Sequence, residues 1–268
     1  MSSKFVARGA DKYDRYMGRW SRRLAPLFLD FAGLAAGERV VEVGCGTGSL
    51  TLTLAGHADF AAVEAIDYEP RFVEAARAHN TDPRINIQQG DACNLQFADG
   101  VFDRALSLLV LHFVSEPERA IAEMRRVVRP GGVAAAAVWD NYGGMPSVRM
   151  FWECAAAVEP RAQKERDAAS IRPMTRPGEL RDAFAKIGFR DVVETMLTIR
   201  MDFVNFEDYW IPTITGQGGR AEFLAALPEA NRQRIEATVR SSYLCGLPDG
   251  PRSFASVAWA VRGVVPQS

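Results

Sequence analysis

A single stretch decides the fold of this chain: Val40-Val41-Glu42-Val43-Gly44-Cys45-Gly46-Thr47-Gly48-Ser49-Leu50. Residues that favour a buried strand run into glycines at alternate positions, and a helix-compatible segment follows at once. The pattern predicts a strand, a tight turn and the start of a helix. Such a turn points backbone N–H groups and the positive end of a helix dipole at one place, which suits a carboxylate or a phosphate.

Composition limits the class of protein. With 268 residues, 48% of them hydrophobic, the chain can bury a large core. Its 32 basic and 33 acidic side chains nearly cancel, so the charge gives no signature for nucleic acid. The four cysteines are too far apart for a zinc site or a disulfide scaffold, and no apolar run reaches membrane-spanning length. We therefore expect a cytoplasmic protein with reduced thiols and with no metal, nucleic-acid partner or membrane span.

Strand and helix patterns alternate along residues 40–139. The run over 102–109 is almost continuously apolar, as is typical of a strand covered on both faces. A helix is predicted over 117–128, with Pro130-Gly131-Gly132 as its stop signal and a fifth strand after it. This alternation implies right-handed crossovers and a mostly parallel sheet between two layers of helices, which is a doubly wound α/β fold.

Acidic side chains fall where successive predicted strands end, at Glu42, Asp67 and Asp91. In an open parallel sheet those ends line one crevice. Asp67 is placed to accept hydrogen bonds from the hydroxyls of a ribose. Asp91 could accept one from an exocyclic amine, and Tyr68 could stack on a base. Together these residues imply a nucleoside ligand.

The glycine pattern is G-x-G-x-G, and in combination with later stretches it resembles the class I S-adenosylmethionine-dependent methyltransferases. The resemblance is to their small-molecule branch, which includes the ubiquinone and menaquinone biosynthesis type. It is carried, in order along the chain, by Val41-Glu42-Val43-Gly44-Cys45-Gly46-Thr47-Gly48, Ala65-Ile66-Asp67-Tyr68, Gln89-Gly90-Asp91-Ala92, Phe102-Asp103 with Leu111-His112-Phe113, and Arg126-Val127-Val128-Arg129-Pro130-Gly131-Gly132.

The resemblance implies a fold, a cofactor and a reaction. The fold would be a doubly wound, mostly parallel seven-stranded sheet, the Rossmann-like methyltransferase fold, with a helical insertion before the last strand. The cofactor would be S-adenosylmethionine, with S-adenosylhomocysteine as its product. The reaction would move a methyl group to O or C of a small-molecule acceptor by in-line displacement, which depends on orientation and water exclusion more than on acid–base groups.

The same resemblance implies a role for each matching residue. The glycine turn with Glu42 would hold the methionine end, Asp67 the ribose, and the stretch after the third strand the edge of the adenine. Leu109 would lie under the sulfonium, and an N-terminal lid would carry aromatic side chains. The implied cofactor-binding residues are Glu42, Gly44, Cys45, Gly46, Asp67, Tyr68, Asp91, Ala92, Leu109, Tyr16 and Trp20.

Beyond Trp139 the regular alternation of strand and helix patterns ends. The sequence predicts a helix over about 148–169, strands over about 189–198 and 254–261, and a helical stretch over 205–245. We therefore expect an N-terminal helical lid over 1–36 and a cofactor-binding domain over 37–204 and 251–268. The insertion over 205–250 is expected to shape the substrate pocket, either as a lid or as the surface of a homodimer.

Some residues allow two readings. His112 could be a general base, or it could line the pocket or pack. Cys45 resembles a nucleophile, although nothing near it in sequence supplies a base. The aromatic run Tyr13, Tyr16 and Trp20 could be a flap over a pocket or a helix packed on the domain edge. Trp210 and Phe223 could favour a hydrophobic acceptor or form the core of the insertion.

Other functions compete with methyl transfer. A non-catalytic sensor or subunit that binds S-adenosylmethionine or S-adenosylhomocysteine would use the same cofactor residues. A nicotinamide-dependent oxidoreductase would also use Asp67, but the glycine spacing and the stretch Arg129-Pro130-Gly131-Gly132 argue against it. Nucleic-acid methylation is disfavoured because no basic stretch is interleaved with aromatic residues.

Overall fold

A computed structural model describes Gly9 and residues 13–57, 59–216 and 219–267. Its strands form one seven-stranded sheet in the order β3-β2-β1-β4-β5-β7-β6. Strand β7 is antiparallel to both β5 and β6, and the other neighbours pair in parallel. The predicted Rossmann-like fold is thereby confirmed. The strands are β1 (Arg39–Val43), β2 (Ala62–Asp67), β3 (Ile85–Gln89), β4 (Phe102–Leu108), β5 (Val128–Trp139), β6 (Arg190–Phe203) and β7 (Arg252–Val264).

Helices cover both faces of this sheet. A π-helical turn (Asp14–Gly18) leads directly into the first α-helix, and a short 3-10 helix (Leu111–Phe113) follows β4. None of the helices in the described ranges is long and apolar enough to span a membrane. The α-helices are α1 (Arg19–Ala32), α2 (Ser49–His57), α3 (Pro70–His79), α4 (Pro117–Val127), α5 (Pro146–Val158), α6 (Ala162–Ser170), α7 (Glu179–Ile187), α8 (Phe206–Thr215), α9 (Gly219–Ala225) and α10 (Glu229–Leu244).

The central strand β1 fixes the position of the site. Val40 and Val41 are fully buried on opposite faces of the sheet, and burial of each valine contributes about 1.5–3 kcal/mol. Strand β1 lies between β2 and β4, and the chain order reverses there. Such a reversal opens a crevice at the carboxyl ends of the strands. The pairing of Val43 with Ile66 brings the residues after both strands together at this crevice.

Two element boundaries differ from the sequence-based expectation. Helix α4 ends at Val127 and β5 begins at Val128, so Pro130-Gly131-Gly132 lies inside a strand and not in a loop. The N–H of Gly131 donates to the carbonyl of Val265 at 2.9 Å, which shows that the C-terminal end of the chain stabilises this irregular strand. The single helix expected over 148–169 is two helices, α5 and α6, separated at residues 159–161.

The insertion before β7 consists of α8, α9 and α10 in the described residues. Its apolar side chains form an aromatic cluster in which Phe206 stacks on Trp210, with ring centroids 5.7 Å apart. Trp210 is only 4% exposed, and Phe223 packs edge-on against Trp152. These contacts support the interpretation that Trp210 and Phe223 form a core. The helical insertion confirms that part of the expected fold, whereas its role as lid or dimer surface stays a prediction.

Candidate active site

A cleft lies at the carboxyl ends of β1, β2 and β4, with about 840 Å³ of empty space measured out to its open mouth. No lysine, arginine or histidine lines it among the described residues, whereas two carboxyl groups do. Of the residues expected to bind a cofactor, the structure brings together at this cleft Glu42, Gly44, Cys45, Gly46, Asp67, Tyr68, Ala92 and Leu109.

The turn between β1 and α2 needs glycine for two separate reasons. Gly44 has φ 84°, and a Cβ there would lie 2.4 Å from Cγ2 of Val110. Gly46 has φ 54° and has open space where a side chain would be. The first glycine therefore allows close packing against the segment after β4, and the second exposes its backbone to the cleft.

Asp67 ties this turn to the end of β2. Its Oδ2 accepts a hydrogen bond from the N–H of Gly46 at 2.8 Å, and its Oδ1 accepts one from the N–H of Glu69 at 2.9 Å. Burial raises the pKa of Asp67, although both hydrogen bonds oppose that shift. Each oxygen keeps a second acceptor position, so the carboxyl can still bind hydroxyl groups of a ligand.

Glu42 lies at the floor of the cleft and is 1% exposed. The hydroxyl of Thr51 donates to its Oε2 at 2.5 Å. Burial raises the pKa of Glu42 to about 8, against the smaller effect of the Thr51 hydrogen bond, and the Coulombic effect of Asp67 adds to the rise. The free protein therefore holds this side chain mostly protonated at neutral pH. A cationic ligand at this position would favour its ionised form.

Residues at the start of α2 fit the acidic end of an amino acid. The Oγ of Ser49 is buried in the cleft and has no hydrogen-bond partner in the described structure. Ser49 is also the first residue of α2, where unpaired backbone N–H groups and the helix dipole favour an anion. Tyr68 is 45% exposed at the cleft, so its ring is free to flank a base. The adenine-flanking role expected of Tyr68 stays a prediction, and Ser49 was not among the residues expected to bind a cofactor.

The N-terminal helical segment closes one side of the cleft. Tyr13 and Ser21 line it, and the Tyr13 ring packs 5.2 Å from that of Phe72. The hydroxyl of Thr47 in the glycine turn donates to Oδ1 of Asp14 at 2.6 Å, which fastens the segment to the turn. Residues 1–8 and 10–12 of the expected lid lie outside the described residues.

Tyr16 and Trp20 do not line this cleft in the described structure. They face a second, smaller cavity on the other side of the N-terminal segment. The Trp20 ring lies edge-on to Phe203 with centroids 5.4 Å apart. The three arginines of this helix are ion-paired, Arg19 with Asp208, Arg22 with Asp14 and Arg23 with Asp202.

Asp91, His112 and Cys45 are placed less directly for the roles expected of them. Oδ1 of Asp91 accepts from the N–H of Cys93 at 2.8 Å, so it shapes the turn that presents Ala92 to the cleft. His112 is 4% exposed and burial lowers its pKa to about 3, which makes its imidazole a weak base. Burial raises the pKa of the Cys45 thiol well above its usual range, so its reactive thiolate is scarce. The general-base role of His112 stays a prediction.

The sequence-based prediction missed several residues that line the cleft. Ser21 lies on α1, on the same side of the N-terminal helical segment as Tyr13. That helical spacing was the signal in the sequence that could have placed Ser21 at the cleft. Phe72 and Phe113 come from segments whose apolar patterns suggest only core packing. Thr47 stood inside the glycine motif, but its bond to Asp14 depends on a contact 33 residues away in sequence.

Comparison with known proteins identifies the family. Residues 41–136 match the family described as a methyltransferase domain. The chain is 33% identical over 188 residues to the malonyl-[acyl-carrier protein] O-methyltransferase of Geobacter sulfurreducens, an alignment that covers 69% of this chain and 68% of that protein. It is 35% identical over 138 residues to the demethylmenaquinone methyltransferase of Renibacterium salmoninarum, covering 49% of this chain and 56% of the relative.

Solved structures agree on the fold. The chain matches the Haemonchus contortus phosphoethanolamine N-methyltransferase 2 in complex with S-adenosyl-L-methionine with a TM-score of 0.59 at 18% identity, over 96% of this chain and 57% of that one. This likeness concerns the fold alone, whereas the sequence relatives show the family. The chain belongs to the class I S-adenosylmethionine-dependent methyltransferases of the small-molecule type.

Proposed function

We propose that the enzyme transfers the methyl group of S-adenosylmethionine to an oxygen or carbon atom of a small metabolite by in-line displacement. The observation that carries this proposal is the cleft at the ends of β1, β2 and β4, which offers Glu42 and Asp67 and no basic side chain in the described structure. S-adenosylmethionine carries a sulfonium and an ammonium group against one carboxylate. Its net positive charge therefore suits a cleft whose ionisable side chains are carboxyl groups.

Each part of the cofactor has a matching group in the cleft. Glu42 would hold the ammonium, and the backbone after Gly46 with Ser49 would hold the carboxylate. Asp67 would accept the ribose hydroxyls, for which both its oxygens have free lone pairs. The exposed face of Tyr68 and the turn that Asp91 shapes would flank the adenine.

Methyl transfer needs orientation more than acid–base chemistry. The bound cofactor supplies a methyl group that its sulfonium already activates. The chain contributes an apolar wall over residues 108–110, together with Phe113 and Val114, which excludes water from the cleft. Leu109 has φ 64°, a left-handed conformation that costs a leucine about 1–2 kcal/mol and that fixes the wall against the cleft.

Oxygen or carbon is favoured over nitrogen as the acceptor atom. An amine is cationic near neutral pH and would be repelled by Arg172, whose guanidinium lies 4.8 Å from the ring centroid of Phe113 in the lining of the cleft. An ionised hydroxyl or a stabilised carbanion in the cleft would instead be attracted by Arg172, which would take over part of the work of a base. One relative that covers most of this chain is an O-methyltransferase by name, which supports the same choice.

Calorimetry with S-adenosylmethionine, S-adenosylhomocysteine and NAD tests the cofactor. We expect both sulfur nucleosides to bind at micromolar concentration and NAD to bind far more weakly. D67A should weaken the binding of both sulfur nucleosides by about tenfold or more, because it removes the carboxylate that accepts hydrogen bonds from the ribose hydroxyls. D59A is the matched control, since Asp59 is 86% exposed. Binding of NAD alone would refute the proposal.

A labelled-methyl screen over metabolite extracts tests turnover. The expected product carries the label in an O-methyl or C-methyl group, and D67A should lower its yield in proportion to the lost affinity. Tight cofactor binding without label transfer to any fraction would favour the sensor that the sequence left open.

A further inference from the structure

The N-terminal helical segment, residues 13–32, faces the cofactor cleft on one side and the insertion before β7 on the other. Tyr13 and Ser21 line the cleft. Tyr16 instead faces the second cavity, where it contacts the insertion. Residues three apart on an α-helix would share a face, but the π-helical turn over Asp14–Gly18 turns Tyr16 away from Tyr13. One continuous segment therefore joins the cleft to the insertion.

Arg220, the second residue of α9, holds Tyr16 from the side of the insertion. It is 7% exposed, and its Nη2 donates to the hydroxyl of Tyr16. The guanidinium lies 5.0 Å from the centroid of the Tyr16 ring and also hydrogen-bonds the hydroxyl of Tyr209 on α8. Tyr209 in turn donates to the carbonyl of Ser147 at 2.9 Å. A single planar cation therefore connects the N-terminal segment to α8 and α9.

Arg220 has no carboxylate partner in the ranges that the structure describes. A buried guanidinium without an anion costs free energy, and an apolar side chain of similar volume would cost less. What the guanidinium adds is direction, because its N–H donors point along fixed lines in one plane. A second tie between the segment and the insertion, Arg19 with Asp208 at 2.7 Å, is partly open to solvent and therefore weaker. The placement of Tyr16 therefore depends mainly on Arg220.

The opposite side of the segment is bound to the cofactor cleft. The hydroxyl of Thr47 in the glycine turn donates to Oδ1 of Asp14 at 2.6 Å. Burial raises the pKa of Tyr13 to about 12; a hydrogen bond with Ser21 opposes the rise, and the nearby carboxyl of Asp67 adds to it. Tyr13 therefore covers the part of the cleft where Asp67 would accept the ribose hydroxyls.

These contacts form a path from the insertion to the cofactor. We propose that Arg220 is a positioning residue of the cofactor cleft, which holds the N-terminal segment through Tyr16 and thereby keeps Tyr13 in place over the bound cofactor. Neither Arg220 nor Tyr16 lines the cleft, so any effect on the cofactor must pass through the segment. This inference rests on cofactor binding at the cleft and holds for any acceptor atom.

Calorimetry with S-adenosylhomocysteine on the full chain tests this role. We expect R220M to bind S-adenosylhomocysteine at least about fivefold more weakly than the unaltered chain, because Tyr13 is no longer held over the ligand. Y16F keeps the ring and removes the hydroxyl, so it should lose affinity by a smaller factor. R220K should lose less than R220M, because its ammonium still donates to Tyr16. R232M is the matched control and should bind normally, because Arg232 is an exposed arginine of the same insertion.

A double-mutant cycle separates positioning from a general loss of stability. Y13A removes the side chain through which Arg220 acts on the cofactor, so adding R220M to Y13A should change the affinity for S-adenosylhomocysteine little further. A merely structural role would instead lower the thermal midpoint of R220M and leave its affinity unchanged at temperatures where the variant is folded.

Y16F and R220K keep the test decisive if R220M does not fold. Unchanged affinity for S-adenosylhomocysteine in R220M or in Y16F would overturn the proposal, and so would additive losses in the cycle. Failure of the proposed methyl transfer would be recognised separately, as binding of S-adenosylhomocysteine without transfer of labelled methyl, and the coupling between Arg220 and the cleft would then still stand.

Discussion

Replacing Glu42 with glutamine tests the electrostatics of the cleft, because E42Q keeps the shape of the side chain and removes its titration. Burial raises the pKa of Glu42 from 4.5 to about 8. A shift of that size corresponds to about 5 kcal/mol for holding the ionised side chain in the free protein. Between these two pH values the folded chain keeps a proton that the unfolded chain has lost. Stability therefore falls as the pH rises through this window.

The fall can be measured by urea unfolding. Over the interval from about pH 6 to pH 8, Glu42 should lower the free energy of unfolding by about 2 kcal/mol, and E42Q should lack that contribution. T51V should steepen the dependence, because it removes the hydroxyl that donates to Oε2 of Glu42 and that lowers its pKa. Parallel pH profiles for E42Q and the unaltered chain would refute the reasoning.

The same shift predicts a proton release on binding. At pH 7 a carboxyl group with a pKa of about 8 is mostly protonated, and a bound ammonium group favours its ionised form. Binding of S-adenosylmethionine should therefore release close to one proton from Glu42, and calorimetry in buffers of different ionisation enthalpy measures it. E42Q should release correspondingly less. Equal release from both proteins would show that Glu42 does not contact the cationic part of the ligand.

Four other substitutions separate structural effects from effects on chemistry. G44A should destabilise the fold by about 3 kcal/mol, since φ is 84° and the new Cβ meets a valine side chain. G46A should cost only about 1 kcal/mol, since φ is 54° and the new Cβ enters open space. Thermal unfolding compares the two variants, and equal losses of stability would contradict this prediction. H112Q should leave the pH dependence of methyl transfer unchanged near neutrality, because the pKa of His112 is about 3. Loss of the acidic limb of the pH–rate profile in H112Q would instead identify His112 as the general base. R104M should lower the free energy of unfolding in urea by about 3 kcal/mol, because Arg104 is 5% exposed and donates to Glu38 at 2.6 Å. An unchanged unfolding midpoint, or a weakened affinity for S-adenosylhomocysteine, would contradict a purely structural role for the pair of Arg104 and Glu38.

The sheet and the cofactor cleft could be predicted because their signals are local. The apolar run before the glycines predicts β1, and Asp67 stands where the next predicted strand ends. Once these strands pair in parallel, Glu42 and Asp67 lie at the same edge of the sheet. The start of β5 could not be predicted in the same way. Proline and glycine at 130–132 indicate a loop, whereas in the structure Val128 pairs with Phe102 of β4 and the N–H of Gly131 donates to the carbonyl of Val265, 134 residues away in sequence.

The second cavity could not be predicted for the same physical reason. Arg220 has no motif around it, and its partner Tyr16 lies 204 residues away in sequence. The cofactor site is built from consecutive strand ends, so its residues recur at regular spacing. The second cavity is built where the N-terminal segment meets the insertion before β7, two regions that no strand pairing joins. Packing between these regions can therefore vary while the glycine turn and its carboxyl groups stay as they are.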